Sequence, residues 1–150
     1  MPIPDFNEYG LLPAGIHDCT AEEVQHFFCY NDIRNQIWAG FVNFLNWIAN
    51  QPEPDAILVD GSFVTDKATP NDVDVVIDLT SKSTADQIEW AQLHAGHHNA
   101  AKVDFNVDFY PFAVGQGHDF SAFFQYLRMD EALRKGAPID IRKGILRIVP

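Results

Sequence analysis

Two groups of polar residues lie close together in the stretch LVDGSFVTDKATPNDVDVVIDL, residues 58–79, and have the types and spacing to bind a ligand. Gly61 and Ser62 follow an apolar run, where a glycine allows close approach to the backbone and turn N–H groups with a serine hydroxyl can hold phosphate oxygens. Asp72 and Asp74 begin the next apolar run. Because an unpaired charge is costly to remove from water, these acids indicate a positive charge nearby.

A later stretch, KVDFNVDFY at residues 102–110, supplies more carboxylates. Its alternation of apolar and polar residues predicts a strand with Asp104 and Asp108 on one face. Three or four acids that converge on one side of a sheet repel each other unless a divalent metal offsets them, and oxygen ligands suit Mg²⁺ or Mn²⁺. The sequence therefore predicts a metal site built from the acids of two strands.

Asp104 and Asp108 are rivals for the place of third acid, because carboxylates about 13 Å apart along a strand cannot both reach the same metals. Simple register favours Asp104, which would lie level with Asp72 and Asp74 in a parallel strand. The polar lead-in GHHNAAK allows the strand to begin later, and the aromatic residues after Asp108 could wall the site from water. We favour Asp108.

Ordinary structural roles compete with these interpretations. Asp72 follows a turn-forming Pro-Asn pair, and Gly-Ser after a strand is a common turn. Lys67 can reach a bound phosphate group from the loop, although a mobile surface lysine is the commoner case. The histidines His94, His97 and His98 are more typical of a helix C-terminus than of a zinc site.

Three helices are predicted to position these residues. Thr20 begins the first with the capping-box sequence TAEE. Apolar residues spaced by three and four predict the second, from Ile33 to near Gln51. The third covers residues 83–96 and ends at Gly96.

Apolar runs and alternating patterns predict four strands, at residues 56–60, 72–79, 102–110 and 144–149. The helix between the second and third strands would make them parallel, because a β-helix-β connection returns the chain in the same direction. We expect an α/β (α+β) fold, in which helices pack on one face of a small mixed sheet.

The 150 residues are expected to form a single domain with an N-terminal arm at 1–19, a core at 20–110 and a helical, basic tail at 111–150. The net charge is −11, yet residues 128–150 hold six of the ten Lys and Arg. The acidic remainder repels nucleic acid, so broad nonspecific binding to it is not expected. The basic tail could hold a phosphate-bearing partner locally, although a solvated face is the commoner role.

No apolar run approaches the roughly 18 residues of a membrane span, and the start lacks the pattern of a signal peptide. Two cysteines, Cys19 and Cys29, do not form the pattern of a disulfide framework. We therefore expect a soluble, cytoplasmic protein with reduced thiols and no membrane partner.

Residues 56–110, with a hydrophobic strand, Gly-Ser, a nine-residue interval and Asp-x-Asp, resemble the signature of the polymerase-β-type nucleotidyltransferase superfamily. The forms GSFVTDK and NDVDVVIDL are similar to those of small bacterial proteins, and the chain is similar in size to the minimal nucleotidyltransferases of toxin–antitoxin pairs. The resemblance implies that Gly61 and Ser62 contact a nucleoside triphosphate. It also implies that Asp72 and Asp74 bind two metals and that a later acid completes the set.

The function implied by this resemblance is transfer of a nucleoside monophosphate from ATP or another NTP to a hydroxyl, with Mg²⁺ or Mn²⁺ as cofactor. We favour a macromolecular acceptor, either a protein or RNA, in a toxin–antitoxin or defence setting. The alternative is a noncatalytic nucleotidyltransferase-like module that neutralises a partner or senses nucleotide. The wide apolar surface of residues 33–48 and the N-terminal arm would suit a protein partner or an oligomer equally well.

Overall fold

The computed structural model describes residues 3–113, 129–138 and 140–148, which form a five-stranded mixed sheet and four helices. The strands are β1 (Gly15–Cys19), β2 (Ala56–Asp60), β3 (Val73–Asp78), β4 (Val107–Phe112) and β5 (Gly144–Ile148). The helices are α1 (Ala21–Phe28), α2 (Asp32–Ile48), α3 (Thr84–Phe105) and α4 (Met129–Lys135), and a 3₁₀ turn covers Ser62–Val64. The predicted α+β class with a mixed sheet is confirmed.

The sheet has the strand order β1-β5-β2-β3-β4. β2 runs antiparallel to both of its neighbours, β3 and β5, while β4 is parallel to β3 and β1 is parallel to β5. α3 is the crossover between β3 and β4, which are parallel as predicted and also directly adjacent. The sheet therefore brings the ends of β2, β3 and β4 side by side.

The N-terminal segment is more than the predicted arm, because β1 forms an edge of the sheet. Its sequence, GIHDC, mixes polar and apolar residues and its burial shows no simple alternation. β1 pairs with β5, whose residues follow almost 130 positions later in the chain. The local sequence therefore does not predict this strand. Leu11 and Leu12, just before it, are fully buried, so this segment packs against the rest of the protein.

The starts of the first two helices agree with the capping signals in the sequence. Thr20 Oγ1 accepts a hydrogen bond from the Glu23 amide at 3.1 Å, and Glu23 Oε1 accepts one from the Thr20 amide at 3.0 Å, which completes the capping box. Asn31 caps α2 by accepting from the Arg34 amide at 2.8 Å. The predicted beginning of α2, at Ile33, is one residue late.

The main core lies between one face of the sheet and helices α1, α2 and α3. On β3 this face carries Val73, Val75 and Ile77, and the acids of the strand point to the other side. The apolar width of α2 is largely used here, since Trp38 is buried and Trp47 packs against Trp90. Among the described helices, none is long and apolar enough to cross a membrane.

The prediction was wrong about where α3 ends. The helix continues through Gly96 to Phe105 and stops at Asn106, which adopts the left-handed conformation with φ of 55°. β4 therefore begins at Val107, and the predicted strand over 102–110 loses its first half to the helix. The three histidines consequently lie inside α3 and not at its C-terminus.

Candidate functional site

Three aspartates occupy neighbouring positions across the sheet, on the face opposite the core. Asp60 at the end of β2 is the register partner of Asp74 on β3, and Asp74 is in turn the partner of Asp108 on β4. Asp72 stands just before β3 and joins this row. One carboxylate oxygen from each of Asp72, Asp74 and Asp108 lies within 4.8 Å of the others, a grouping that could hold a metal ion.

Asp104, the rival third acid, lies outside this group. It is exposed in the last turn of α3, because that helix extends over the residues expected to begin the strand. The structure therefore brings the favoured Asp108 to Asp72 and Asp74 and leaves Asp104 apart. That these acids bind metal stays a prediction.

Burial and the neighbouring negative charges raise the pKa of two acids in this row. Burial raises the pKa of Asp74 to about 6, and the nearby charges of Asp72, Asp60 and Asp108 add to the effect. Burial, reinforced by Asp108, likewise raises the pKa of Asp72. Because like charges held together disfavour ionisation, a cation placed among these oxygens would stabilise the site.

The Gly61-Ser62 turn touches the acids directly. Gly61 has φ of +85°, a conformation that residues with a side chain rarely adopt, and a Cβ at this position would overlap the Asp74 carboxylate. Ser62 opens the 3₁₀ turn that follows. The turn predicted to contact phosphate therefore lies against the predicted metal ligands.

A cavity of about 660 Å³ opens beside this turn and the acid pair. Its positively charged lining consists of Lys67, Arg134, Lys135 and Lys143, and Glu131 also faces it. Lys67 lines the cavity from the loop after Ser62, and its contact with phosphate stays a prediction. The other three cations belong to the basic tail, for which a solvated face was the favoured interpretation.

Lys143 has a defined partner in this cavity. Its Nζ lies 3.0 Å from Oδ1 of Asp60, and both side chains are nearly buried, although the pair lacks hydrogen-bond geometry. Burial raises the pKa of Asp60 and the Lys143 charge opposes that shift. The clustering of Lys and Arg after residue 128 was the only signal in the sequence for this pairing.

The loop that carries Lys67 is held by a buried arginine that the sequence analysis did not single out. The guanidinium of Arg34 donates to the carbonyl oxygens of Phe63, Thr65 and Lys67, at distances from 2.6 to 3.2 Å, and to that of Phe28 at 3.3 Å. It also lies over the ring of Tyr30, 4.7 Å from its centroid. Arg34 therefore joins α2 to the loop after the Gly-Ser turn.

Asp108 has hydrogen-bonding neighbours that the sequence analysis also missed. His98 Nε2 lies 2.6 Å from Oδ1 of Asp108, and the Tyr110 hydroxyl donates to Oδ2 at 3.0 Å. Lys102 Nζ is 3.7 Å from the same Oδ2. Burial together with Asp108 raises the pKa of Tyr110 to about 12, so this hydroxyl remains a donor near neutral pH.

The fold and the site together define an α+β protein with a carboxylate cluster, a glycine turn and a cation-lined cavity on one face of its sheet. The chain belongs to DUF6932, a family of unknown function, whose profile matches residues 4–149. No curated protein and no solved structure gives a significant match.

Proposed function

We propose that this protein is a metal-dependent nucleotidyltransferase that moves a nucleoside monophosphate from an NTP to a hydroxyl and releases pyrophosphate. The observation that carries the proposal is the convergence of Asp72, Asp74 and Asp108 beside the Gly61 turn, where Asp72 and Asp74 line a cavity that lysines and an arginine also line. Such a site places carboxylates that can bind a metal beside lysine and arginine side chains that can bind phosphate.

The carboxylates fit Mg²⁺ or Mn²⁺ in number and chemistry. Both ions prefer oxygen ligands. Burial and, to a smaller extent, repulsion among the acids raise the pKa values of Asp72 and Asp74, and a divalent cation would relieve that repulsion. When bound, the metal supplies charge that stabilises the attacking and leaving oxygens of phosphoryl transfer. Asp72, Asp74 and Asp108 would hold it. Asp74 and Asp108 are fixed by strand pairing, and Asp72 directly precedes β3.

The cavity fits a nucleotide in size and charge. Small-molecule sites commonly measure about 300–1,000 Å³, and this cavity lies within that range. The Gly61 turn, with Ser62 and Lys67, would contact the phosphates from one wall, and the cations of α4 and Lys143 would contact them from the other. Little covalent chemistry is left to the protein, because phosphoryl transfer depends mainly on positioning and charge.

The acceptor in this proposal is a hydroxyl on a protein or RNA, in a cytoplasmic toxin–antitoxin or defence setting. It follows from the resemblance to minimal nucleotidyltransferases. The four cations beside the acids also suit a site where a second phosphate-bearing or acidic molecule must approach an acidic protein.

The proposal is tested by the double variant Asp72→Asn with Asp74→Asn. We expect it to lose Mg²⁺-dependent NTP binding, measured as the rise in melting temperature with Mg-NTP, while the fold survives because two repelling charges have been removed. Wild-type binding by this variant would contradict the proposed site. Binding of Mg-NTP by the wild type without turnover of labelled NTP on any acceptor would favour the noncatalytic module.

Asp108→Asn and Asp104→Asn form a matched pair for the third acid. Asp108→Asn should lose turnover at saturating Mg-NTP far more than it loses binding, because Asp108 belongs to the cluster. Asp104→Asn changes an exposed side chain on α3 and should leave both unchanged. Loss confined to Asp104→Asn would contradict the assignment of Asp108.

A further inference from the structure

Asp108 differs from the other two acids of the cluster in how its oxygens are engaged. His98 contacts its Oδ1 at 2.6 Å and Tyr110 donates to its Oδ2 at 3.0 Å. Within the described residues, by contrast, no side-chain hydrogen bond reaches the carboxylate of Asp72 or Asp74. One acid of the three is therefore oriented by side-chain hydrogen bonds, and the other two are not.

The groups that hold Asp108 stand on firmly packed elements. His98 lies inside α3, whose Trp90 and Ala101 are buried in the main core. Its ring packs beside His94, with centroids 4.6 Å apart, and beside the ring of Tyr110 at 5.8 Å. A short connection joins α3 to β4, since only Asn106 separates them. The two contacts therefore tie the helix and the strand together at Asp108.

The contacts from His98 and Tyr110 oppose the repulsion between Asp108 and the other two acids. Asp108 is the register partner of Asp74, and without other contacts its negative charge would favour a rotamer that turns away from Asp74 and Asp72. An ionised carboxylate has about four acceptor sites, and two donors leave about two for other partners. His98 and Tyr110 can thus hold the group while oxygen lone pairs remain free to face the other acids.

We propose that His98 and Tyr110 are positioning residues that hold Asp108 in its metal-binding orientation. The inference rests on the proposed function, because it assigns these two side chains a role in the same metal site. Mutation of residues that orient metal ligands commonly lowers metal affinity or activity by about 10–100-fold. His98 contributes more than Tyr110, because its contact is shorter and its helix is anchored in the core.

The test is Mn²⁺ binding to the purified protein, followed by electron paramagnetic resonance, with folding checked by near-UV circular dichroism. We expect His98→Ala to weaken Mn²⁺ binding by about 10–100-fold. His98→Gln, which keeps an N–H donor, should recover most of that affinity, and Tyr110→Phe should cause a smaller loss. The matched control is His97→Ala, which removes a ring that packs against Trp47 and should bind as the wild type does.

A double-mutant cycle separates positioning from a general structural effect. In an Asp108→Ala background, His98→Ala should weaken Mn²⁺ binding no further, because the residue on which His98 acts is absent. An equal further loss there would overturn the inference, and so would wild-type affinity in His98→Ala. If His98→Ala does not fold, Tyr110→Phe and His98→Gln carry the test, and wild-type affinity in Tyr110→Phe would then overturn it.

The two proposals fail in different ways. Mn²⁺ binding by the wild type that is insensitive to His98 and Tyr110 would overturn the positioning role and leave the proposed function standing. A wild-type protein that binds no Mn²⁺, with or without NTP, would overturn both.

Discussion

Asp74 is the residue on which the charges of the site converge. Asp60 and Asp108 flank it on neighbouring strands, Asp72 precedes it by two residues, and Gly61 packs against its carboxylate. Lys143 is the cation whose charge opposes the rise in its pKa. A small displacement of this one carboxylate would therefore disturb both the predicted metal ligands and the phosphate-binding turn.

At this scale we predict that Gly61→Ala weakens Mg-NTP binding more than Ser62→Ala does. The added methyl group would both strain a backbone with φ of +85° and displace the Asp74 carboxylate, and misplacement of a catalytic group can cost on the order of a hundredfold. Titration of Mg-NTP by isothermal calorimetry measures the effect. Gly96→Ala is the control, because a Cβ there meets no atom within 4 Å. Unchanged affinity in Gly61→Ala would mean that the turn does not contact phosphate.

The loop between β2 and β3 presents Lys67 to the cavity. It leaves the sheet at Gly61, and its middle is held by the buried guanidinium of Arg34 and by an isolated β-bridge between Thr65 and Leu11. Tyr30 adds a hydrogen bond from its hydroxyl to the carbonyl of Asp66 at 3.2 Å. α1, α2 and this loop are thus linked on the side of the cavity where Lys67 lies.

We predict that Arg34→Met lowers the free energy of unfolding by on the order of 3 kcal/mol, because several buried carbonyl groups lose a charged donor. Arg34→Lys should recover little of this, since an ammonium cannot reproduce the planar fork of donors. Urea denaturation followed by fluorescence measures the loss. Gln36→Ala, an exposed change two residues along the same helix, is the control. Near-wild-type stability of Arg34→Met would show that the loop is held mainly by other contacts.

Across the whole molecule, charge is arranged as a row that crosses the sheet. Lys143 stands at one end beside Asp60, and His98 with Lys102 stands at the other beside Asp108. Asp74 lies in the middle with its pKa raised to about 6. The protein is therefore expected to be less stable when this middle position is ionised and no cation is bound.

The sign of the pH dependence follows from that pKa. The folded value of about 6 exceeds the reference value of 3.8, so the folded state holds the Asp74 proton more tightly than the unfolded chain does. The contribution of Asp74 to stability is therefore greatest below about pH 4 and falls as the pH rises towards and through 6. Above that range the ionised carboxylate destabilises the metal-free protein.

We predict that Asp74→Asn becomes more stable relative to the wild type as the pH rises from 4 to 7, by on the order of 1 kcal/mol at the upper end. Thermal unfolding of both proteins at each pH measures the difference in their stability, and the contributions of titrating groups common to both cancel. Mg²⁺ should raise the wild-type melting temperature more at pH 7.5 than at pH 5 and should have little effect on Asp74→Asn. A stability difference that does not change with pH would contradict the assignment.

Local sequence patterns were sufficient for much of the fold. The capping box at Thr20, the helical period of α2 and the apolar runs of β2, β3 and β5 each depend on neighbours a few residues away. The Gly61 turn and the acids at the start of β3 belong to the same category. The positions of these residues can be inferred from short stretches of sequence, because side-chain direction repeats with a short period along a strand or helix.

The third acid and the cationic wall depended on tertiary structure. Over KVDF, residues 102–105, alternation suits a strand, yet the last turn of a helix accommodates it as well, with Val103 largely exposed and Phe105 against the core. The helix stops at Asn106, which adopts the left-handed conformation that ends many helices, and that boundary separates Asp104 from Asp108. Lys143 meets Asp60 because strand order places β5 beside β2, although the two residues are far apart in the chain. Contacts of this kind follow from the assembled sheet, since no periodicity in the sequence links residues so far apart.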